Sequence, residues 1–98
     1  MNEVQNEVRK VDIEDAPRIL IWMDGGLIQE VSGNRRAIEL GVEVIALDYD
    51  VEGTQEEIST DRDGEELLIQ PHRVYETGSN GRFLMEKYLL RSNEPEVE

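Results

Sequence analysis

The segment that most restricts the fold is a strand-forming run, Arg18-Ile-Leu-Ile-Trp-Met23, followed by Asp24-Gly25-Gly26 and a second run, Leu27-Ile-Gln-Glu-Val-Ser32. Asp-Gly and Gly-Gly supply the positive φ angles of a two-residue hairpin turn, which residues carrying a Cβ rarely enter. Two antiparallel strands joined at the glycine pair are therefore predicted. In the first, Ile19, Ile21 and Met23 point to one face and Leu20 and Trp22 to the other. Apolar groups on both faces predict a central strand; the second strand alternates less cleanly and is expected nearer an edge. The Trp22 indole N–H needs a partner when buried. Asp24 either supplies it or simply starts the turn.

Ser32 to Gly41 holds either a short helical turn, with Asn34 as cap and Gly41 as stop, or an irregular link. Val42 to Tyr49 reads as a third, sheet-internal strand, with Val42, Val44 and Ala46 on one face and Ile45, Leu47 and Tyr49 on the other. Past Asp48 the apolar pattern lapses, which predicts a loop or a frayed hairpin around Asp63-Gly64. A further strand begins at Leu67-Leu-Ile69, and Pro71, lacking an N–H, keeps it from being central beyond Gln70. Thr77 to Gly81 reads as a turn, and Arg82 to Arg91 as a helix capped by Ser79 or Asn80. Phe83, Leu84, Met85, Tyr88, Leu89 and Leu90 nearly encircle that segment, so a strand after an Asn-Gly hairpin is the alternative. Residues 1–17, with Val4, Val8 and Val11 on one face if helical, are expected to form a flexible N-terminal arm, and residues 92–98 a flexible charged tail. The expected whole is a small single α+β domain over residues 18–91, with a hairpin-based sheet of roughly three to five strands and one C-terminal helix.

Nine of the nineteen residues from Asp48 to Glu66 are acidic, and only Arg62 among them is basic. Carboxylates at this density cannot be buried together, because each ion removed from water costs several kcal/mol unless paired. The segment is therefore expected on a wet surface. The net charge of −13 opposes direct binding to nucleic acid or to an anionic membrane, both of which rely on Lys and Arg. It favours electrostatic steering towards a cationic protein surface. Solubility is the competing reading. Salt adaptation is another, with only Lys10 and Lys87 as lysines, although Glu outnumbers Asp sixteen to seven. The chain has no cysteine, which excludes disulfides and thiolate metal sites and fits a cytoplasmic setting. The N-terminus lacks the apolar core of a signal peptide, and the longest apolar run, Ile19 to Met23, is too short to span a bilayer.

From Arg18 to Gly53, about a third of the chain, the elements are the apolar strand, Gly25-Gly26-Leu27-Ile28-Gln29 with Val31, and Val42 to Gly53 with its Asp48-Tyr-Asp50-Val-Glu52-Gly53 ending. In these the chain resembles a family of small acidic uncharacterised proteins of bacterial phages, plasmids and related mobile elements. The resemblance implies a mobile-element context and transfers no catalytic residue. The chain departs from that pattern in its longer N-terminal arm and C-terminal segment.

Candidate chemistry is sparse. Asp48, Asp50, Glu52 and Gly53 invite comparison with a calcium loop, but Glu52 stands at the fifth position, Gln55 at the eighth and Ser59 at the twelfth, where the bidentate carboxylate belongs. His72 is the single histidine and reads as a surface residue. Gly25-Gly26 lacks the further glycine and the Lys-Ser/Thr of a phosphate loop. No catalytic residue, metal ligand or cofactor is assigned. The expected function is a non-enzymatic acidic protein that engages a basic protein surface, including one that normally receives nucleic acid, through Asp48, Asp50, Glu52, Glu56, Glu57, Asp61, Asp63, Glu65 and Glu66. The alternative is a structural or assembly module that self-associates through a strand edge, with Leu67 to Ile69 and Val74 to Tyr75 as contacts. Sequence leaves the oligomeric state open.

Overall fold

The computed structural model describes residues 11–92. The fold is α+β: β1 (Ile19–Asp24), β2 (Leu27–Gly33), α1 (Arg35–Leu40), β3 (Val44–Asp48), β4 (Ser59–Thr60), β5 (Glu66–His72), β6 (Val74–Glu76) and α2 (Ser79–Ser92). The glycine pair closes the predicted hairpin: Asp24 lies opposite Leu27, and Gly25 and Gly26 have φ of 60° and 81°. Both angles lie where a type I′ turn requires them.

Two three-stranded sheets form, ordered β1-β2-β6 and β3-β5-β4. In the first, β2 is central and β1 is an edge, the reverse of the expectation, because β6 runs parallel beside Val31, Ser32 and Gly33. The two-sided apolar pattern of β1 reflects what lies above and below the strand, not its place in the sheet. Gly81 of α2 approaches the Leu20 side, while Ile21 and Met23 on the other side remain 50% and 60% exposed. In the second sheet β3, read as internal, is also an edge, and β5 is central. From Leu68 onward β5 is bonded on one side only, because the two-residue β4 reaches only Leu67 and Glu66; Pro71, which pairs with Ile45, lies within that one-sided stretch, where its missing N–H is tolerated.

Asn34 caps α1 and Gly41 ends it, so the helical alternative for residues 32–41 is the one adopted. Gly41 takes φ of 70°. Its N–H donates to the Ile38 carbonyl at 3.0 Å, and the Val42 N–H donates to the Ala37 carbonyl at 3.1 Å, the paired bonds of a Schellman cap. Asn34 also does what the pattern did not indicate. It is completely buried. Its amide nitrogen donates to the carbonyls of Ile13 (2.6 Å) and Ala16 (2.8 Å), and its Oδ1 accepts from the N–H groups of Arg18 (3.0 Å) and Ala37 (2.9 Å).

Residues 11–17, assigned by sequence to the arm, are thereby fastened to the body. Ile13 is 3% exposed. The Glu14 carboxylate accepts from the N–H groups of Arg35 (3.2 Å) and Arg36 (2.9 Å) and meets the Arg82 guanidinium at 3.4 Å. Partial desolvation pushes the Glu14 carboxyl up, and these donors more than offset it, leaving its pKa lowered. Val4 and Val8, and the tail beyond Ser92, lie outside the described residues.

Helix α2 begins at Ser79, so the predicted Thr77–Gly81 turn is instead its entry and first turn, and the strand alternative is not adopted. The Arg82 N–H donates to the Gly78 carbonyl at 3.0 Å. Tertiary packing overrides the turn preference of Asn-Gly here. Gly81 is buried, and a Cβ at this position would lie 1.9 Å from Thr77 Oγ1 and 3.0 Å from Leu20 Cδ1. The Trp22 indole N–H donates to Ser32 Oγ at 3.1 Å, so Ser32 takes the role considered for Asp24.

The buried apolar set is small: Ile13, Val31, Ala37, Leu67, Leu68 and Met85. The Cα radius of gyration is 18.8 Å, against about 12 Å for a compact chain of this size. The two sheets are spread out rather than stacked into one core.

Replacing Asn34 by Ala leaves the Ala16 carbonyl and the N–H groups of Arg18 and Ala37 without their partner, while the Ile13 carbonyl keeps only the Arg18 guanidinium at 3.2 Å. It should lower unfolding free energy by about 3 kcal/mol in urea titrations. Asn34→Asp keeps the acceptor but turns a carboxylate oxygen on two carbonyls, and is expected to cost at least as much. Gly81→Ala should destabilise by about 2 kcal/mol although Ala is the better helix former, and Thr77→Ala in the same chain should recover part of that loss.

Candidate functional site

The nine predicted acidic residues all belong to the second sheet and its connections. Asp50, Glu52, Glu56, Glu57, Asp63, Glu65 and Glu66 are exposed, and Asp48 and Asp61 are half-buried. Asp48 ends β3, and its Oδ1 accepts from the Asp50 N–H at 2.9 Å, which bends the chain away from the strand. Glu56 reaches across to Gln70 Nε2 at 3.4 Å. Asp63 faces the Arg62 guanidinium at 3.5 Å, with both side chains in solvent. A pair this exposed is worth little.

Asp61 differs from the others. In the β4–β5 hairpin its Oδ1 accepts from the N–H groups of Asp63 and Glu65, each at 2.9 Å, while Oδ2 accepts from the Tyr49 hydroxyl at 2.9 Å. The Glu65 N–H bond, followed by the Tyr49 hydroxyl bond, holds the Asp61 carboxyl below its ordinary 3.8. The same hydroxyl bond, with the desolvation around it and the charges of Asp61 and Glu65, raises Tyr49 above 10.0. Asp61 thus orders the loop that carries Asp63, Glu65 and Glu66.

Beside the acidic loop lies an uncovered apolar face. The register places Ile45 opposite Pro71 and Leu47 opposite Ile69; Ile45, Leu47, Tyr49 and Ile69 are each 50–58% exposed. The predicted alternation of β3 is therefore correct, but among the described residues the face carrying Ile45, Leu47 and Tyr49 is left half exposed. Of the contacts expected for an assembly module, Leu67 and Leu68 are buried within the chain, whereas Ile69 and Tyr75 are exposed. Sequence reasoning missed Pro71 as part of this face, and the signal was available in its two-residue spacing from Ile69. A groove of about 700 Å³ runs between the tip of the β1–β2 hairpin, at Met23, Leu27 and Ile28, and the β3–β5 ladder. His72, at the far end of β5, is half-buried rather than superficial, and its Nε2 has no hydrogen-bond partner among the described residues.

On α2, Phe83, Leu84, Tyr88 and Leu90 are exposed, and only Gly81 and Met85 are buried. The encircling apolar pattern of that helix corresponds to uncovered surface. No helix among the described residues is long and apolar enough to cross a membrane. No protein-family model, curated protein or solved structure matches the chain.

The Asp61 pKa is depressed, so its contribution to the hairpin is present above the ordinary aspartate range and is lost as pH falls through the lowered value. The Tyr49 pKa is raised, so its contribution is present below the ordinary tyrosine value and is lost as pH rises through the raised one. Amide spectra should show residues 59–66 ordered between about pH 4 and pH 10. In Asp61→Asn, the Tyr49 ring should titrate lower, closer to the ordinary tyrosine value, because the largest cause of its shift is removed; an unmoved midpoint would contradict the coupling.

Proposed function

We propose that the chain is a non-enzymatic assembly module, whose uncovered apolar surface is closed by association and whose acidic loops stay at the solvent rim. One observation carries the reading. Among the described residues, fourteen large apolar side chains are exposed by 40% or more, against five buried ones. Single exposed apolar residues are ordinary, but Ile45, Leu47, Tyr49, Ile69 and Pro71 are contiguous across two paired strands. That face alone offers on the order of 400 Å², the size of the largest apolar patch on an ordinary monomer, which is often a functional one. The exposed Phe83, Leu84 and Tyr88 of α2 add a second apolar area.

A second reading is supported by the seven exposed carboxylates of residues 48–66 and the single arginine among them. In it the acidic loops engage a basic protein surface, including one that normally receives nucleic acid, in the cytoplasmic, mobile-element context implied by the sequence resemblance. Salt separates the two. Self-association of a chain with net charge −13 works against its own repulsion, so screening should strengthen it roughly tenfold or more between about 0.05 M and about 1 M salt. Docking on a cationic partner should weaken over the same range. Sedimentation velocity across that range should give a larger species that grows with salt. A monomer at every salt concentration would exclude the assembly reading.

A further inference from the structure

We infer that two copies of this chain pair through their β3 strands, antiparallel about a two-fold axis at Ala46, and so join two three-stranded sheets into one of six. This rests on the assembly reading and assigns it a surface and a register. Strand edges are normally protected by shortness, bulges, charge or proline. Among the described residues, β4 and β6 have two and three residues, and β1 carries an irregularity between Trp22 and Met23. β5 is open on its β4 side from Leu68 to His72, and Pro71 interrupts that edge. The free edge of β3 has no such protection: Val44-Ile-Ala-Leu carries no charge, bulge or proline before Asp48.

Backbone chemistry fixes the register. Pro71 has no N–H, so its pairing with Ile45 takes the non-hydrogen-bonded position of the β3–β5 ladder. By alternation Val44, Ala46 and Asp48 turn their backbone groups towards β5, and Ile45 and Leu47 turn theirs to the open edge. A two-fold axis at Ala46 sets Ile45 against Leu47 of the second copy, and Leu47 against its Ile45. Both become hydrogen-bonded pairs, and the small Ala46 occupies the close, non-bonded centre.

Charge fits the same register. Within β3 the one carboxylate, Asp48, falls opposite Val44 of the second copy, so no carboxylate faces another along the seam. The joined sheet carries the Ile45, Leu47, Tyr49, Ile69 and Pro71 face twice over. That makes roughly 800 Å² of continuous apolar surface, the contribution one partner makes to a stable interface. Two joined sheets stacked face to face would therefore be the next level of assembly.

Leu47→Pro removes an edge-facing N–H at a position where the chain's own sheet tolerates proline, and Leu47→Ala removes the side chain but keeps the N–H. Sedimentation at about 1 M salt should show association at least tenfold weaker in Leu47→Pro than in Leu47→Ala, with far-ultraviolet spectra unchanged. In a chain without native cysteine, Ala46→Cys places two thiols at a close pair, about 4.5 Å between Cα atoms, and should give a disulfide-linked dimer in air. Glu43→Cys, about 20 Å from its symmetry mate, should not. Association of the parent chain that Leu47→Pro leaves unweakened, together with absence of the Ala46→Cys dimer, would overturn the β3 seam while leaving the assembly reading in place. A parent chain that never associates would remove both.

Discussion

One buried amide organises the first half of the molecule. Asn34 holds the carbonyls of Ile13 and Ala16 with its nitrogen and the N–H groups of Arg18 and Ala37 with its oxygen. A single planar group thus determines where residues 13–18 lie, where β1 begins and where α1 starts. All its donor and acceptor capacity is engaged, which is the condition under which a buried polar group specifies structure instead of weakening it. Glu14 depends on this clamp, since its carboxylate reaches the α1 N-terminus only when Ile13 and Ala16 are held. Gly33, the preceding residue, leaves the space: a Cβ there would lie 3.0 Å from Ala37 Cβ and 3.2 Å from both Ile19 and Val74.

The contrast between this well-connected corner and the rest is energetic as well as geometric. Val31, Ser32, Gly33 and Asn34 form the longest continuous buried stretch, because β2 is flanked by β1 and β6 and approached by α1. The second sheet has nothing comparable beyond Leu67 and Leu68. At about 25 cal/mol per Å², leaving its apolar face wet forgoes several kcal/mol that a larger assembly would recover. The high negative charge acts in the opposite direction, keeping copies apart at low ionic strength, and its placement along residues 48–66 keeps most of it off the Ile45–Leu47 face.

Local chemistry was legible in the sequence wherever a single residue type decides the outcome. The Gly25-Gly26 turn, the Asn34 and Gly41 boundaries of α1, the Asp63-Gly64 hairpin and the placement of Pro71 in a one-sided stretch all follow from dihedral freedom or from a missing donor. Strand order was not legible. An apolar residue on each face of β1 and β3 records what could be covered, and an edge strand awaiting a neighbour has the same pattern as a central one. The start of α2 was misplaced because Gly81 is small for packing against Leu20 and Thr77, not for turning. In the acidic segment the exposure of the carboxylates was legible from their number. The internal use of Asp61 was not, since nothing in its local sequence distinguishes it from Asp63.

The chain leaves the first sheet after α1 and returns to it at β6, and the second sheet is built entirely on the excursion. Its two ends meet, because Val44 at the start of β3 lies directly opposite His72 at the end of β5. A detour with touching ends constrains its host no more than a short connector does. Everything from Glu43 to Arg73 is therefore exchangeable in principle, and the Asn34-centred platform is a socket on which different excursions could be carried.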